Sequence, residues 1–323
     1  MTNLRVICLG EILFDLLADQ LGRPLEQVES WKPYPGGAPA NVACALVKLG
    51  TAAGFVGCVG EDEPGTTLVQ LLQDIGVDSR GVQRHQAPTR QVYVVRSAKG
   101  DREFAGFGEL DTSQFADAFL DASKLPVSLF EEADFLVLGT LELAYPQTRE
   151  AIYRALQLAE QYDVKVLVDI NWRPMFWSDQ SVAKPLILEL LKKVDFLKIA
   201  KEEAELLFDT TDAGAITHRL GSVEGVLVTN GDQECNYCLS DHEGKLPAFK
   251  MDVKDTTGAG DGFVAGFVHQ LCQHGLKCLA TPESAKSVVQ YASAVGGLTT
   301  LKPGAIAAQP TSAEVEEFLK KIA

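Results

Sequence analysis

No stretch of the 323 residues holds the ~18 consecutive apolar residues that a membrane-crossing helix needs. The chain runs from Met1 straight into Leu4-Arg5-Val6-Ile7-Cys8-Leu9 without a cleavage-site pattern, which predicts a first strand of a soluble protein and no membrane partner. Basic residues are in the minority, 29 Lys and Arg against 44 Asp and Glu, for a net charge of −15. Such a surface repels phosphate backbones, so nucleic acid is not an expected partner. Small anions stay open, because a loop of backbone N–H groups binds phosphate whatever the global charge. Cysteines are few and odd in number (8, 44, 58, 235, 238, 272 and 278), and several sit in apolar runs, which predicts reduced thiols and a cytoplasmic location. The sequence shows no repeat of about 20 to 50 residues and no low-complexity tract, which drops solenoids. With 46% hydrophobic residues the chain is not disordered and can bury a sizeable core.

Several catalytic signatures are missing too. There is no G-x-x-x-x-G-K-[ST] and no protein-kinase glycine loop followed by a lysine strand. The five histidines (85, 218, 242, 269 and 274) are scattered, which leaves a Ser/His/Asp hydrolase no foothold. Cys235 and Cys238 have metal-pair spacing but no second pair, and on a strand they face opposite ways.

What is present is an alternation of strand-like apolar runs (6–9, 54–59, 134–138, 165–168, 196–199 and 225–229) with helix-like runs such as 65–75 and 147–161. This predicts one α/β domain over 1–323: a doubly wound, mostly parallel central sheet with helices on both faces. Two segments break the pattern, about 14–34 and 91–107, the second with a turn expected at 99–102. Leaving the same end of the sheet, they predict a small, discontinuous β lid.

The run 255–263 reads Asp-Thr-Thr-Gly-Ala-Gly-Asp-Gly-Phe and leads into a helical stretch to about 273. Small residues at Gly258, Ala259 and Gly260 let backbone N–H groups approach an anion, helped by the dipole of a helix expected to start at Asp261. Asp261 reads in two ways: as an N-cap, or as the base for an alcohol attacking a phosphoryl group whose charge the three N–H groups meet. The run 36–43, Gly-Gly-Ala-Pro-Ala-Asn-Val-Ala, opens a helix that Gly50 ends, and Asn41 there can both donate and accept. Asp15 lies just beyond the first strand's carboxyl end, where open α/β sheets bind ligands, and a carboxylate suits vicinal hydroxyls.

These two runs resemble the two motifs of the ribokinase-like (PfkB) family of carbohydrate kinases, within which the chain looks most like the fructokinases. Asp169-Ile170-Asn171-Trp172-Arg173 and the tail 299–306 are similar to the fructokinase pattern as well. The resemblance implies transfer of the γ-phosphoryl group of ATP to a primary hydroxyl of a ketohexose, with ribose or 2-keto-3-deoxygluconate as alternatives. It implies Asp261 as base, with Gly258, Ala259 and Gly260 as the anion hole. Sugar contacts are implied for Asp15, Gly36, Gly37, Asn41, Phe104 and Arg173, and nucleotide contacts for Thr229, Gly231, Gly260 and Gly304. Glu203 is the implied Mg²⁺ residue, and Asp255 and Thr257 mark a monovalent-cation (K⁺) site; separately, the edge strands of the lid offer a route to homodimer pairing without fixing the oligomeric state. Three departures stand out: Ala200 replaces the asparagine of an Asn-x-x-Glu element, Glu234 replaces a glycine, and 107–111 does not match the plant lid. A rival from another class is a catalytically silent sugar or nucleotide sensor, which would have no use for a base at Asp261.

Overall fold

The computed structural model describes residues 4–97 and 102–322, so the turn expected at 99–102 lies, apart from Arg102, outside the described residues. In chain order the strands are β1 (Val6–Leu9), β2 (Leu13–Leu21), β3 (Trp31–Gly36), β4 (Ala53–Gly60), β5 (Asp78–His85), β6 (Gln91–Arg96), β7 (Arg102–Gly106), β8 (Phe135–Leu138), β9 (Lys165–Asp169), β10 (Phe196–Ala200), β11 (Gly225–Thr229), β12 (Glu234–Leu239) and β13 (His242–Pro247). Nine of them form one sheet, ordered β13-β12-β11-β10-β9-β8-β1-β4-β5. It is parallel from β5 to β11, and the hairpin β12–β13 adds two antiparallel strands at one edge.

The strands are apolar on both sides because both sides are covered. Ile7, Leu9, Leu136 and Leu138 pack toward the helices Pro146–Gln161 and Ala183–Leu190. Val6, Cys8, Phe135 and Val137 pack toward the helices Ala38–Leu49, Ala259–His274 and Pro282–Thr299. The same alternation splits Cys235 and Cys238 between the two cores. Helix ends follow local chemistry: Asp62 accepts the Gly65 N–H at the start of Glu63–Ile75, and left-handed Gly76 ends it.

The two excursions meet in a four-stranded sheet, β3-β2-β6-β7, which stands over the carboxyl ends of the parallel strands as the lid. Its joint with the main sheet is narrow. Gly10 to Ile12 lead from β1 into β2, and the Phe14 N–H donates to the carbonyl of Arg90 just before β6.

Candidate active site

The turn that ends β3 delivers Asn41. Gly37 has φ 103°, and a Cβ there would lie 2.4 Å from the carbonyl oxygen of Glu11, so only glycine lets the chain enter the helix Ala38–Leu49 so close to the sheet. A second loop arrives from the other end of the sequence. Gly258 sits at φ 80°, where a Cβ would meet Ala305 at 2.9 Å, and the helix begins at Ala259. That start is two residues earlier than the sequence suggests, so Asp261 lies inside the first turn and is no N-cap. Its Oδ2 instead accepts the Nδ2–H of Asn41 at 2.8 Å, across 220 residues of chain.

Around this bond opens a cavity of about 520 Å³. Of the expected sugar contacts, Asp15, Gly37, Asn41, Phe104 and Arg173 line it, and Gly36 stands directly beside Asp15. The lid supplies an apolar wall of Leu13, Val92, Val94 and Phe104, the last edge-to-face with Phe107 at 5.1 Å. A second cavity, of about 840 Å³, is lined by Thr229, Gly231, Glu234, Ala259, Gly296 and Gly297 among others. Thr256 and Gly260 belong to both linings, so the glycine loop is the wall between the two spaces.

Four expected ligand residues make contacts within the chain. Gly304 lines neither cavity, and its N–H donates to Asp255 Oδ2 at 2.9 Å. Asp255 Oδ1 accepts the N–H and O–H of Thr257, so this carboxylate ties the segment leading into the glycine loop to the turn at Gly304. Glu203 lines the first cavity, but its oxygens accept the N–H groups of Trp172 at 2.6 Å and Ala200 at 2.7 Å. It thus caps the helix Lys201–Phe208 and fastens the loop that carries Arg173.

Burial raises the carboxyl of Asp261 to about 6; the Asn41 hydrogen bond, Lys198 and Arg173 oppose the rise, while Asp169 adds to it. A base must be ionised to accept a proton. Activity read as kcat/KM is therefore expected to fall as pH drops through about 6, with an acid limb near that midpoint. An acid limb near pH 4, the range of an ordinary aspartate, contradicts this placement.

Sequence reasoning missed a pair inside the site. Asp169 and Lys198 are register partners on β9 and β10, and Lys198 Nζ lies 3.0 and 3.1 Å from the two Asp169 oxygens. The available signal was a charged residue within or at the carboxyl end of each of two mostly buried strands, Phe-Leu-Lys-Ile-Ala and Lys-Val-Leu-Val-Asp. Glu11 was missed as well. It lines the cavity, its Oε1 accepts the Ala38 N–H at 2.7 Å, and burial raises it to about 7.

The family model described as pfkB family carbohydrate kinase matches residues 3–312. The chain belongs to the PfkB family of carbohydrate kinases. It is 34% identical to fructokinase-1 of Zea mays, over 98% of each chain. The fructokinase of Xylella fastidiosa with bound ATP superposes with a TM-score of 0.88 at 28% identity, covering 98% of both chains. A double mutant of the Vibrio cholerae fructokinase, in a form holding fructose, ADP and potassium ion, gives 0.83 at 25% identity over 99% of this chain and 100% of that one. The PfkB fold explains the layout: a doubly wound sheet whose carboxyl ends carry both cavities, with the lid over one of them. Among the described residues no helix is long and apolar enough to cross a membrane.

Proposed function

We propose that this chain transfers the γ-phosphoryl group of ATP to a primary hydroxyl of a ketohexose, fructose first among them. The carrying observation is the Asn41–Asp261 hydrogen bond at the seam between the two cavities. Asn41 Oδ1 is buried with no partner among the described residues, so the amide that positions the base also offers an acceptor to a substrate hydroxyl. The relatives called fructokinases supply the choice of sugar.

In this reading the acceptor hydroxyl lies against Asp261, and its oxygen bonds phosphorus as the bond to the departing ADP oxygen breaks. The hydroxyl proton passes to Asp261 late, because an alkoxide is far too basic to form beside such a carboxylate. N–H groups of 258–260 meet the charge on the equatorial oxygens. Leu13, Val92, Val94 and Phe104 exclude water, which would otherwise divert the phosphoryl group to hydrolysis. Among the described residues no cluster of three or more potential ligands could hold a metal ion alone. The donor set, with Glu203 already satisfying two amides, fits a Mg²⁺ that arrives on the triphosphate and is reached through water. Bound there, the ion would offset charge on the β and γ phosphates.

A coupled ADP-release assay over a sugar panel at fixed ATP tests the reading. Fructose is expected to turn over faster than ribose or 2-keto-3-deoxygluconate. A ribose preference moves the substrate, and no ADP with any sugar hands the fold to the silent sensor.

A further inference from the structure

We propose that Lys198 is a catalytic residue: its ammonium group meets the phosphoryl group in transit between the two cavities. This rests on the kinase reading above and adds to it a cation that belongs to the chain itself.

The placement comes from strand register. On β10, Lys198 and Ala200 share a face, the one packed under the helix Ala259–His274. Lys198 pairs with Asp169 of β9, and Ala200 with Thr229 of β11, so the four form a short row along the carboxyl ends of three strands. One end of the row, Thr229, lines the nucleotide-side cavity, and the other, Asp169, lines the sugar-side cavity. Lys198 stands between them beneath the glycine loop. A Cβ placed on Gly260 would lie 3.2 Å from its Nζ, which puts the ammonium at the anion hole. The family's asparagine at 200 is an alanine here, so that neighbouring position offers no side-chain donor to the phosphates, while Lys198 does.

Charge points the same way. The sugar-side cavity is lined by five acids, Glu11, Asp15, Asp169, Glu203 and Asp261, against two cations, Arg173 and Lys198. A triphosphate entering this field needs positive charge close to phosphorus, and Arg173 is exposed at the rim while Lys198 is 7% exposed. The ammonium gives two hydrogen bonds to one carboxylate, so one of its three N–H donors stays available. Burial alone would lower Lys198, but Asp169, Glu203 and Asp261 together hold it above the ordinary lysine value, so it stays protonated through the reaction. Lys198 exchanges no proton in the step. The hydroxyl proton goes to Asp261, the electron pair of the broken P–O bond stays with ADP, and the ammonium faces oxygens whose charge is redistributed.

The test uses the full chain and two variants, because Lys198→Met alone strands Asp169 as a buried, unpaired carboxylate. The second variant, Lys198→Met with Asp169→Asn, removes both charges and keeps the volumes. Folding is read by circular dichroism and by sugar binding. In the folded variants kcat is expected to fall at least ~10²-fold, the range for losing one donor to the developing charge, while KM for ATP stays within about threefold. Independently of turnover, calorimetry with ADP, aluminium fluoride and sugar, a mimic of the planar phosphoryl group, is expected to show a similar loss of affinity, with ADP alone binding as before. A folded double variant with kcat within about threefold of wild type, or with undiminished affinity for the fluoride complex, overturns the proposal and leaves Lys198 a structural partner of Asp169. A wild-type enzyme that releases no ADP with any sugar overturns the kinase reading itself, and this inference with it.

Discussion

Asp261→Asn is expected to bind sugar within a few-fold of wild type and to lose at least ~10²-fold in kcat, the usual size of a general-base contribution. The amide is chosen because its oxygen still accepts the Asn41 Nδ2–H, so the geometry of the seam survives and only the base is lost. Measured at pH 8, well above the value near 6 that burial sets for this carboxyl, the comparison is between a fully ionised base and none. Besides Asp169, which is paired with Lys198, Glu11 is a carboxyl near enough to raise a question, since its charge and that of Asp261 interact. It is less suited to substitute as the base, because its Oε1 already accepts the Ala38 N–H. Turnover within threefold of wild type would remove Asp261 from the chemistry and with it the assignment of the 258–260 loop as an anion hole.

The largest expected loss of stability lies outside the cleft. Arg90 is 1% exposed at the joint between sheet and lid. Its guanidinium donates to Asp117 through Nε at 2.5 Å and Nη2 at 2.7 Å, and to Thr112 through Oγ1 at 3.1 Å and the carbonyl at 2.9 Å. The rings of Phe115, Tyr145, Phe176 and Phe107 surround it at 4.7 to 5.4 Å from Cζ. Arg90→Met keeps much of the packing but leaves Asp117 buried without its cation. The expected destabilisation is about 3–5 kcal/mol, read by urea unfolding. Arg90→Met combined with Asp117→Leu should recover most of it, because removing both charges is far less costly than removing one. A single variant within about 1 kcal/mol of wild type would mean that water or a rearranged side chain satisfies Asp117.

The contrast between Asp261 and Arg90 shows what a linear sequence discloses. The parallel strands were legible because each is an apolar run, and burial on both faces is written into composition: 6–9 and 225–229 match β1 and β11 residue for residue. The lid was legible as two places where the alternation fails. The glycine loop was legible because a close backbone approach tolerates few residue types, although the expected helix start was misplaced by two residues. Nothing local marks Arg90 as buried, however. Its partners lie 22 and 27 residues away, and an isolated arginine between two strands reads as a surface residue until the fold closes around it. The amide contacts of Glu203 were hidden for a related reason, since its bond to the Trp172 N–H depends on the packing of two loops, which no motif records.

Among the described residues the lid contributes to one of the two chambers: Leu13, Val92, Val94 and Phe104 border the acceptor's space, and none of the described residues of β2, β3, β6 or β7 borders the donor's. Such asymmetry sets an itinerary. A sugar entering or leaving the acceptor's space passes the lid wall, whereas a nucleotide in the donor's space meets no lid residue among those described.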